Sequence, residues 1–207
     1  VYAVRIADFD QQLAKLLNEL TPDERDRAAR YHRPADARRF AVARALLRRL
    51  LARHTSSPAE TLRIVNGEHQ KPVLADMPDL HFSVAHTVHY VLIATGPAAL
   101  GIDVEFIDPA FAYADVLNAT FSAAGQRSVK AAPDPCRAFY EGWTRKESLL
   151  KATGRGLTDP LAAVPDIAGK HYVPGNLLGT TLDWEVHSFP VGNDHVGALA
   201  LPARAAS

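Results

Sequence analysis

The 207-residue sequence contains 23 basic and 23 acidic residues, so its formal net charge at pH 7 is zero and gives no sign of a polyanionic partner. Apolar residues make up 47% and charged residues 22%, which excludes a disordered chain and is typical of one large or two small globular domains. The single cysteine excludes a disulfide framework, and the longest apolar run is too short to span a bilayer. We therefore expect a cytoplasmic protein with neither a membrane nor a nucleic-acid partner.

The first elements follow a strand-then-helix pattern. Residues 2–6 alternate in hydrophobicity like a short strand, and leucines at helical spacing predict a helix over residues 9–20. Thr21, Pro22 and Glu24 form a capping-box pattern. In a capping box the threonine side chain accepts a hydrogen bond from the glutamate backbone N–H, and the glutamate side chain accepts one from the threonine N–H. This pattern predicts the start of a second helix.

The longest helix is expected over residues 35–54, directly after Pro34. Its buried stripe comprises Phe40, Ala43, Leu47, Leu50 and Leu51. Strands are predicted next at residues 62–65 and 81–95, with a loop at residues 67–78 between them. The second of these strand patterns is long enough to form a hairpin.

Positive charge is concentrated between residues 21 and 53. This region contains ten arginines against four acidic residues, a local excess that suits a phosphate-rich ligand. Arg39 and Arg44 lie at the edges of the apolar stripe, from which their side chains can reach a cleft. Arg49 and Arg53 point away from that stripe and are expected to be solvated.

After Pro97 the order of elements repeats, beginning with a strand at residues 100–106. Helices are expected at about 112–117, 123–131 and 136–153, and strands at 182–189 and 195–201. The repeated order predicts an α+β fold made of two similar halves, residues 1–97 and residues 98–207. Ligands often bind between two such halves.

Acidic residues on two of these elements form a candidate metal site. In the strand G-I-D-V-E at 101–105, Asp103 and Glu105 share one face. On the helix at 136–153, Glu147 and Lys151 are four residues apart and also share a face. Two carboxylates from a strand and one from a helix can hold Mg2+ and leave positions open for a phosphate ligand.

These two segments resemble, in order and in spacing, the signatures of the Sfp-type 4'-phosphopantetheinyl transferases. The family pattern is G-[IV]-D-x-E, followed about forty residues later by [WF]-x-x-K-E-[SA]-x-x-K. This chain reads G-I-D-V-E at 101–105 and W-T-R-K-E-S-L-L-K at 143–151. The resemblance extends over nearly the whole chain and implies two α/β halves related by pseudo-two-fold symmetry, with coenzyme A in the cleft between them.

The resemblance also implies a reaction. The 4'-phosphopantetheine group of coenzyme A would pass to a serine of an apo acyl, polyketide or peptidyl carrier protein, and adenosine 3',5'-bisphosphate would leave. Mg2+ would be held by Asp103, Glu105 and Glu147, with Glu147 as the general base and Lys151 stabilising charge on the phosphates. Carriers of fatty-acid, polyketide and nonribosomal-peptide biosynthesis all remain open, and a monomer is expected.

By the same resemblance, further positions would contact coenzyme A. Arg27 and Arg39 match basic residues that meet its phosphates, Lys71 in the K-P loop would lie near the adenosine 3'-phosphate, and His86 matches the histidine of F-S-V-A-H-T. Asp103 and Lys151 would also lie against the coenzyme. The chain departs from the family pattern at Glu24, where some relatives have lysine, at Gln70, where glycine is usual, and at Ala85, where serine is usual.

Two other classes of function remain as alternatives. A Mg2+-dependent nuclease could have similar acidic residues, but it would need a broader basic surface than one N-terminal arginine cluster. A coenzyme A-binding module without catalysis would not need all three candidate carboxylates.

The segment from 107 to 130 follows the acidic strand and is the predicted docking surface for a carrier protein. It combines apolar residues with Arg127 and Lys130, which would steer an acidic helix of the carrier. Its apolar members are Phe111, Tyr113, Val116, Leu117 and Phe121.

Overall fold

An antiparallel sheet and three helices make up most of the N-terminal half in the computed structural model, which describes residues 1–67, 70–154, 161–165 and 172–203. The strands are β1 (Tyr2–Arg5), β2 (Ile64–Asn66), β3 (Pro72–Leu74), β4 (His81–His86) and β5 (Tyr90–Gly96). The helices are α1 (Leu13–Asn18), α2 (Pro22–Ala29) and α3 (Pro34–Thr55). Strands β1, β5 and β4 pair in that order, and β2 pairs with β3 separately.

The C-terminal half has a second antiparallel sheet with strand order β6-β9-β8-β7. Its strands are β6 (Gly101–Phe106), β7 (Tyr172–Val173), β8 (Trp184–Val191) and β9 (His195–Pro202). Its described helices are α4 (Leu117–Thr120), α5 (Ala123–Ala131) and α6 (Pro135–Thr153). None of the helices in the described ranges is both long enough and apolar enough to cross a membrane.

The two larger sheets have the same order of strands. In each half the first strand pairs antiparallel with the last one, β1 with β5 and β6 with β9. The last strand also pairs with the strand that precedes it, β5 with β4 and β9 with β8. The mixed α+β fold is therefore as predicted, whereas the boundary after residue 97 and the pseudo-two-fold axis stay predictions.

The helix starts follow the local sequence signals. The hydroxyl of Thr21 accepts a hydrogen bond from the backbone N–H of Glu24 at 3.4 Å, and the Glu24 carboxylate accepts one from the Thr21 N–H at 3.0 Å. This confirms the predicted capping box of α2. At the start of α6, Asp134 accepts a bond from the N–H of Arg137 at 3.0 Å, and Pro135 occupies the first turn.

Several predicted boundaries are wrong. Residues Ile6–Gln12 form a 3-10 helix, so the helix predicted over 9–20 begins as an α-helix only at Leu13. The predicted loop at 67–78 contains β3, which pairs with β2. The helix predicted near 112–117 is a 3-10 turn followed by α4. These segments are too short to be recognised from hydrophobic periodicity in the sequence.

A hydrophobic cluster joins the two sheets. Ile102 and Val104 of β6 are almost fully buried, and the Ile102 N–H donates to the hydroxyl of Ser83 on β4 at 3.1 Å. The cluster also contains Ala85, Leu92, Ala94, Leu100 and Val191. One face of β6 is therefore turned towards the N-terminal half, which leaves the alternate residues on the face that α6 covers.

Gly101 allows α6 to approach β6 closely. A Cβ atom at this position would overlap the carbonyl oxygen of Ser148 and the amide nitrogen of Ala152. No side chain fits in that space, so glycine is required for this packing. The close approach brings the acidic face of β6 against the side chains of α6.

Candidate active site

The acidic residues of β6 face α6, as the alternation predicts. Asp103 is only 5% exposed, and its Oδ1 accepts a bond from the Lys151 ammonium at 2.7 Å. Glu105, two residues along, is half-buried and lines a cavity together with Trp143 of α6. The structure therefore brings together the carboxylates of the strand and the charged face of the helix.

Two carboxylate oxygens at this junction have no hydrogen-bond partner among the residues that the structure describes. Asp103 Oδ2 and Glu147 Oε1 are buried and have no hydrogen-bond donor within the described part of the chain. An unsatisfied buried oxygen on a carboxylate is costly, because its lost hydration is not replaced. Such oxygens suit an added cation.

The pKa values of the carboxyl groups support the same interpretation. Burial, followed by the negative charge of Asp103, raises the pKa of Glu105 to about 7, while Lys151 and Trp143 act in the opposite direction. Burial and the charge of Asp103 also raise the pKa of Glu147. A cation bound among these groups would relieve their repulsion.

The carboxylate groups of Asp103, Glu105 and Glu147 are of the chemical type that binds Mg2+, but they are not already arranged as a metal site. Among the described residues, no three His, Cys, Asp or Glu side chains form a cluster that could hold a metal as they stand. Lys151 occupies one oxygen of Asp103. Carboxylate oxygens are the protein ligands that Mg2+ prefers, and the buried oxygens without donors are available to it.

His86 lies where the two halves meet. It ends β4, and its side chain is exposed. Partial desolvation of the His86 imidazole lowers its pKa. The positive charges of Arg39 and Lys151 lower this pKa further, whereas Asp103 raises it. Arg39 is half-buried and paired with Asp36 at 2.6 Å. His86 is therefore close enough to interact electrostatically both with Arg39 and with Lys151.

Arg27 lies in a separate cavity of about 240 Å3 on the N-terminal half. The guanidinium of Arg27 lies 5.0 Å from the ring centre of Phe40, and that of Arg44 lies 5.7 Å from it. His86 also lines this cavity. Arg44 Nη1 is buried and has no hydrogen-bond partner among the described residues. Arg44, which the family motifs do not include, is thus a further candidate for an anion contact, and its position at the edge of the apolar stripe was the signal for it.

Glu24 has a structural role that explains its departure from the family pattern. Its two carboxylate oxygens accept bonds from Arg48 at 2.7 and 2.9 Å, and Arg44 lies 3.5 Å away. Arg48 is 2% exposed and also donates to the carbonyl oxygens of Ala59 and Leu62. The acidic residue therefore anchors α2 to α3.

Arg49 and Arg53 were both predicted to be solvated, and the structure confirms this for only one of them. Arg49 was expected to be solvated, but its guanidinium makes two bonds of 2.7 Å to Glu19 and is half-buried, so that prediction is wrong. The reason is that α1 packs beside α3 and supplies a carboxylate there. Arg53 is exposed, as predicted.

Lys71 is engaged with backbone carbonyl groups of the C-terminal half. Its ammonium donates to Lys151 O at 2.6 Å and to Leu100 O at 3.1 Å. Burial lowers its pKa to about 8. Lys71 and Lys151 line a cavity of about 230 Å3 between the halves. The resemblance implies that Lys71 lies near the adenosine 3'-phosphate. The carbonyl partners have no local signal in the sequence.

The predicted docking segment is only partly exposed. Leu117 and Phe121 are buried in a cluster with Phe139, so the expectation that they lie on the surface is wrong. Phe111 is 43% exposed, and Arg127 is exposed, as is Lys130. A cavity of about 260 Å3 is lined by Glu105, Phe111, Val116, Phe139, Tyr140 and Trp143.

Comparisons with known proteins cover both halves of the chain. A family model described as "4'-phosphopantetheinyl transferase superfamily" matches residues 99–200. A second, described as "4'-phosphopantetheinyl transferase, N-terminal", matches residues 8–98.

Individual relatives agree with these matches. A protein of Synechocystis, named provisionally as a 4'-phosphopantetheinyl transferase, is 33% identical over 180 residues, which is 83% of this chain and 72% of the relative. The 4'-phosphopantetheinyl transferase Sfp of Bacillus subtilis is 28% identical over 74% of this chain and 70% of its own length. The mouse L-aminoadipate-semialdehyde dehydrogenase-phosphopantetheinyl transferase is 26% identical over 68% of this chain and 50% of its own length.

Proposed function

This chain belongs to the 4'-phosphopantetheinyl transferase superfamily, and we propose that it transfers the 4'-phosphopantetheine group of coenzyme A to a serine of an apo acyl, polyketide or peptidyl carrier protein. Adenosine 3',5'-bisphosphate is the leaving group, and Mg2+ is the cofactor. The names of the matched relatives favour this transfer over the nuclease alternative. The proposed enzyme acts as a monomer in the cytoplasm.

The observation that carries the proposal is the pair of buried carboxylate oxygens without donors, Asp103 Oδ2 and Glu147 Oε1, beside the half-buried Glu105. Asp103, Glu105 and Glu147 would hold the Mg2+. When bound, the ion would neutralise the pyrophosphate of coenzyme A and help to orient it for in-line displacement. The hard oxygen donors of the three side chains suit this ion.

Glu147 is the proposed general base. Its Oε1 is buried, has no hydrogen-bond donor among the described residues and is available to accept a proton. It takes the proton of the carrier serine as the serine oxygen attacks the phosphorus attached to pantetheine. The bond from that phosphorus to the bridging oxygen breaks, and the electron pair leaves with the adenosine bisphosphate. Lys151, already held beside Asp103, stabilises the negative charge on the phosphates.

The coenzyme is proposed to bind along the junction of the halves. Arg27, Arg39 and His86 would contact its phosphates, and Arg44 is added because its buried Nη1 has no acceptor among the described residues. The His86 ring can donate an N–H to a phosphate oxygen. The resemblance assigns Lys71 to the adenosine 3'-phosphate.

The carrier is proposed to dock beside the acidic strand, on the exposed part of the segment 107–130. Phe111 supplies exposed apolar surface there, next to the cavity that Glu105 lines. Arg127 and Lys130 are exposed on α5 and would attract an acidic helix of the carrier.

The test of the proposed function is mass spectrometry of apo carrier proteins after incubation with this protein, coenzyme A and Mg2+. Addition of one phosphopantetheine group to the carrier is the expected result. A carrier whose acceptor serine is replaced by alanine should gain no mass, and EDTA should stop the reaction with the intact carrier. No modification of fatty-acid, polyketide or peptidyl carriers would refute the proposal and leave coenzyme A binding without catalysis as the alternative.

A further inference from the structure

The side chain of Lys71 crosses from the N-terminal half to two elements of the C-terminal half. Its Nζ donates to Lys151 O at 2.6 Å and Leu100 O at 3.1 Å, and Ala152 O lies at the limit of bonding, 3.5 Å away. An ammonium group has three N–H donors, and two of them are engaged at ordinary hydrogen-bond distances. Lys71 is thus bonded at the start of β6 and at the end of α6.

These bonds complete the C-terminal turn of α6. The last four carbonyl groups of an α-helix have no partner within the helix. The helix ends before Gly154, which has a positive φ of 73°. The hydroxyl of Thr153 donates to the carbonyl groups of Leu149 and Leu150 one turn earlier, whereas Lys71 reaches those of Lys151 and Ala152. A positive charge at this end of a helix is also favoured by the helix dipole.

The residues that Lys71 holds by their backbone are next to the proposed catalytic groups. Lys151 donates with its side chain to Asp103, while its own carbonyl oxygen accepts from Lys71. Leu100 is three residues before Asp103 on the chain, immediately ahead of β6. One ammonium group from the N-terminal half therefore fixes the backbone of both elements that carry the acidic cluster.

We infer that Lys71 is a positioning residue, which holds the end of α6 against the start of β6 so that Lys151 and Glu147 face Asp103. This inference rests on the proposed function for its catalytic consequence, but its structural part does not. It differs from the role that the resemblance assigns, because the ammonium bonds carbonyl groups at α6 and β6 rather than a 3'-phosphate. The two roles make different predictions for dephospho-coenzyme A, which lacks that phosphate. Loss of a positioning residue should still reduce the rate, whereas loss of a 3'-phosphate contact should not.

Steady-state kinetics of Lys71→Met with coenzyme A and with dephospho-coenzyme A separates the two roles. Methionine keeps most of the length of the side chain and removes its N–H groups. We expect kcat to fall about ten-fold both with coenzyme A and with dephospho-coenzyme A, because the loss of charge-assisted bonds loosens α6. Lys71→Arg, which can still donate to carbonyl groups, should recover part of kcat. Lys15→Met, which changes an exposed lysine on α1, is the matched control and should behave like the wild type.

Hydrogen exchange of the coenzyme-free protein tests the structural part separately. The amides of the last turn of α6 should exchange about ten-fold faster in Lys71→Met than in the wild type, without a change in β1 or β5. This readout would still apply if the wild-type protein transferred nothing, so failure of the proposed function is distinguishable. An unchanged exchange rate overturns the inference. It is equally overturned if dephospho-coenzyme A abolishes the difference between Lys71→Met and the wild type, since Lys71 would then act through the phosphate.

Discussion

Each half of the molecule contains a buried cluster of charged side chains, and the two clusters differ in how their carboxylates are satisfied. In the N-terminal half, Glu24 accepts two bonds from Arg48 and one from the backbone of Thr21. These bonds and the nearby Arg44 lower the pKa of Glu24, although burial opposes the shift. Its carboxylate is stabilised in the charged form by the protein itself.

The C-terminal cluster has more carboxylates than cations. Lys151 bonds Asp103, but buried oxygens of Asp103 and Glu147 have no donor in the described parts of the chain. The pKa values of Glu105 and Glu147 are raised rather than lowered. The comparison shows that burial of charge alone does not identify a functional site. The pKa of Glu24, which is paired with Arg48, is lowered, whereas the pKa values of Glu105 and Glu147 are raised, which suits an added cation.

The largest effect is expected from neutralising the C-terminal cluster. Asp103→Asn and Glu147→Gln should each reduce carrier modification by about 1000-fold or more, because a metal ligand or base is lost. The melting temperature of Glu147→Gln should stay equal to that of the wild type or rise, since repulsion among the carboxylates decreases. Asp103→Asn also loses the ion pair with Lys151 and should melt somewhat below the wild type. Mass spectrometry of the carrier and thermal melts followed by circular dichroism give the two readouts. Near wild-type rates for either variant at saturating Mg2+ would show that the ligand assignment is wrong.

Neutralising the N-terminal cluster should have the opposite pattern. Glu24→Gln leaves Arg48 buried without its anion and should lower the free energy of unfolding by roughly 3 kcal/mol. The kcat of the folded protein at saturating coenzyme A should remain within a few-fold of the wild type. Urea denaturation measures the stability.

Glu19→Gln is the matched control for that change. Its pair with Arg49 is half-exposed, so the expected loss of stability is only about 0–1 kcal/mol. Equal losses for the two glutamine variants would contradict the view that Glu24 is the buried anchor.

A smaller effect on stability is expected from pH at Glu105. Its pKa is about 7 in the folded protein, above its ordinary value of 4.5, so its contribution to stability is full below pH 4.5 and is lost as the pH rises through 7. Without Mg2+, Glu105→Gln should therefore be more stable than the wild type by about 1–3 kcal/mol at pH 8 and by little at pH 4. Thermal melts at both pH values test this.

Added Mg2+ should reverse that difference. Because the proposed site exists only in the folded protein and Glu105→Gln removes one of its ligands, Mg2+ should raise the melting temperature of the wild type more than that of the variant. A stability difference between the two proteins that does not depend on pH or on Mg2+ would contradict the assignment.

The smallest effect is expected from an exposed charge outside both clusters. Arg127→Glu should slow modification of an intact carrier a few-fold at low salt and hardly at all at high salt, because steering charges are screened. Coenzyme A binding measured by calorimetry should not change. Carrier kinetics that are identical to the wild type at every ionic strength would place the docking surface elsewhere.

The elements that carry the candidate site could be predicted from the sequence, because each has a local signal. The alternation of β6 and the four-residue spacing of Glu147 and Lys151 settle which side chains share a face. The carbonyl partners of Lys71 and the burial of Arg48 depend on contacts between residues that are distant in the chain. No local period encodes such contacts, so these features emerged only from the three-dimensional arrangement.

The pairing of the first strand with the last strand in each sheet has a consequence for the order of folding during synthesis. The N-terminal sheet can close as soon as β5 is made, whereas β6 receives its partner only with β9, roughly 5–20 s later at ordinary rates of translation. In that interval Ile102 and Val104 have no neighbouring strand in their own sheet. They can rest on Ala85 and Leu92 of the finished half, which belong to the same hydrophobic cluster in the native protein. We therefore expect the first half to serve as a template on which the second half folds.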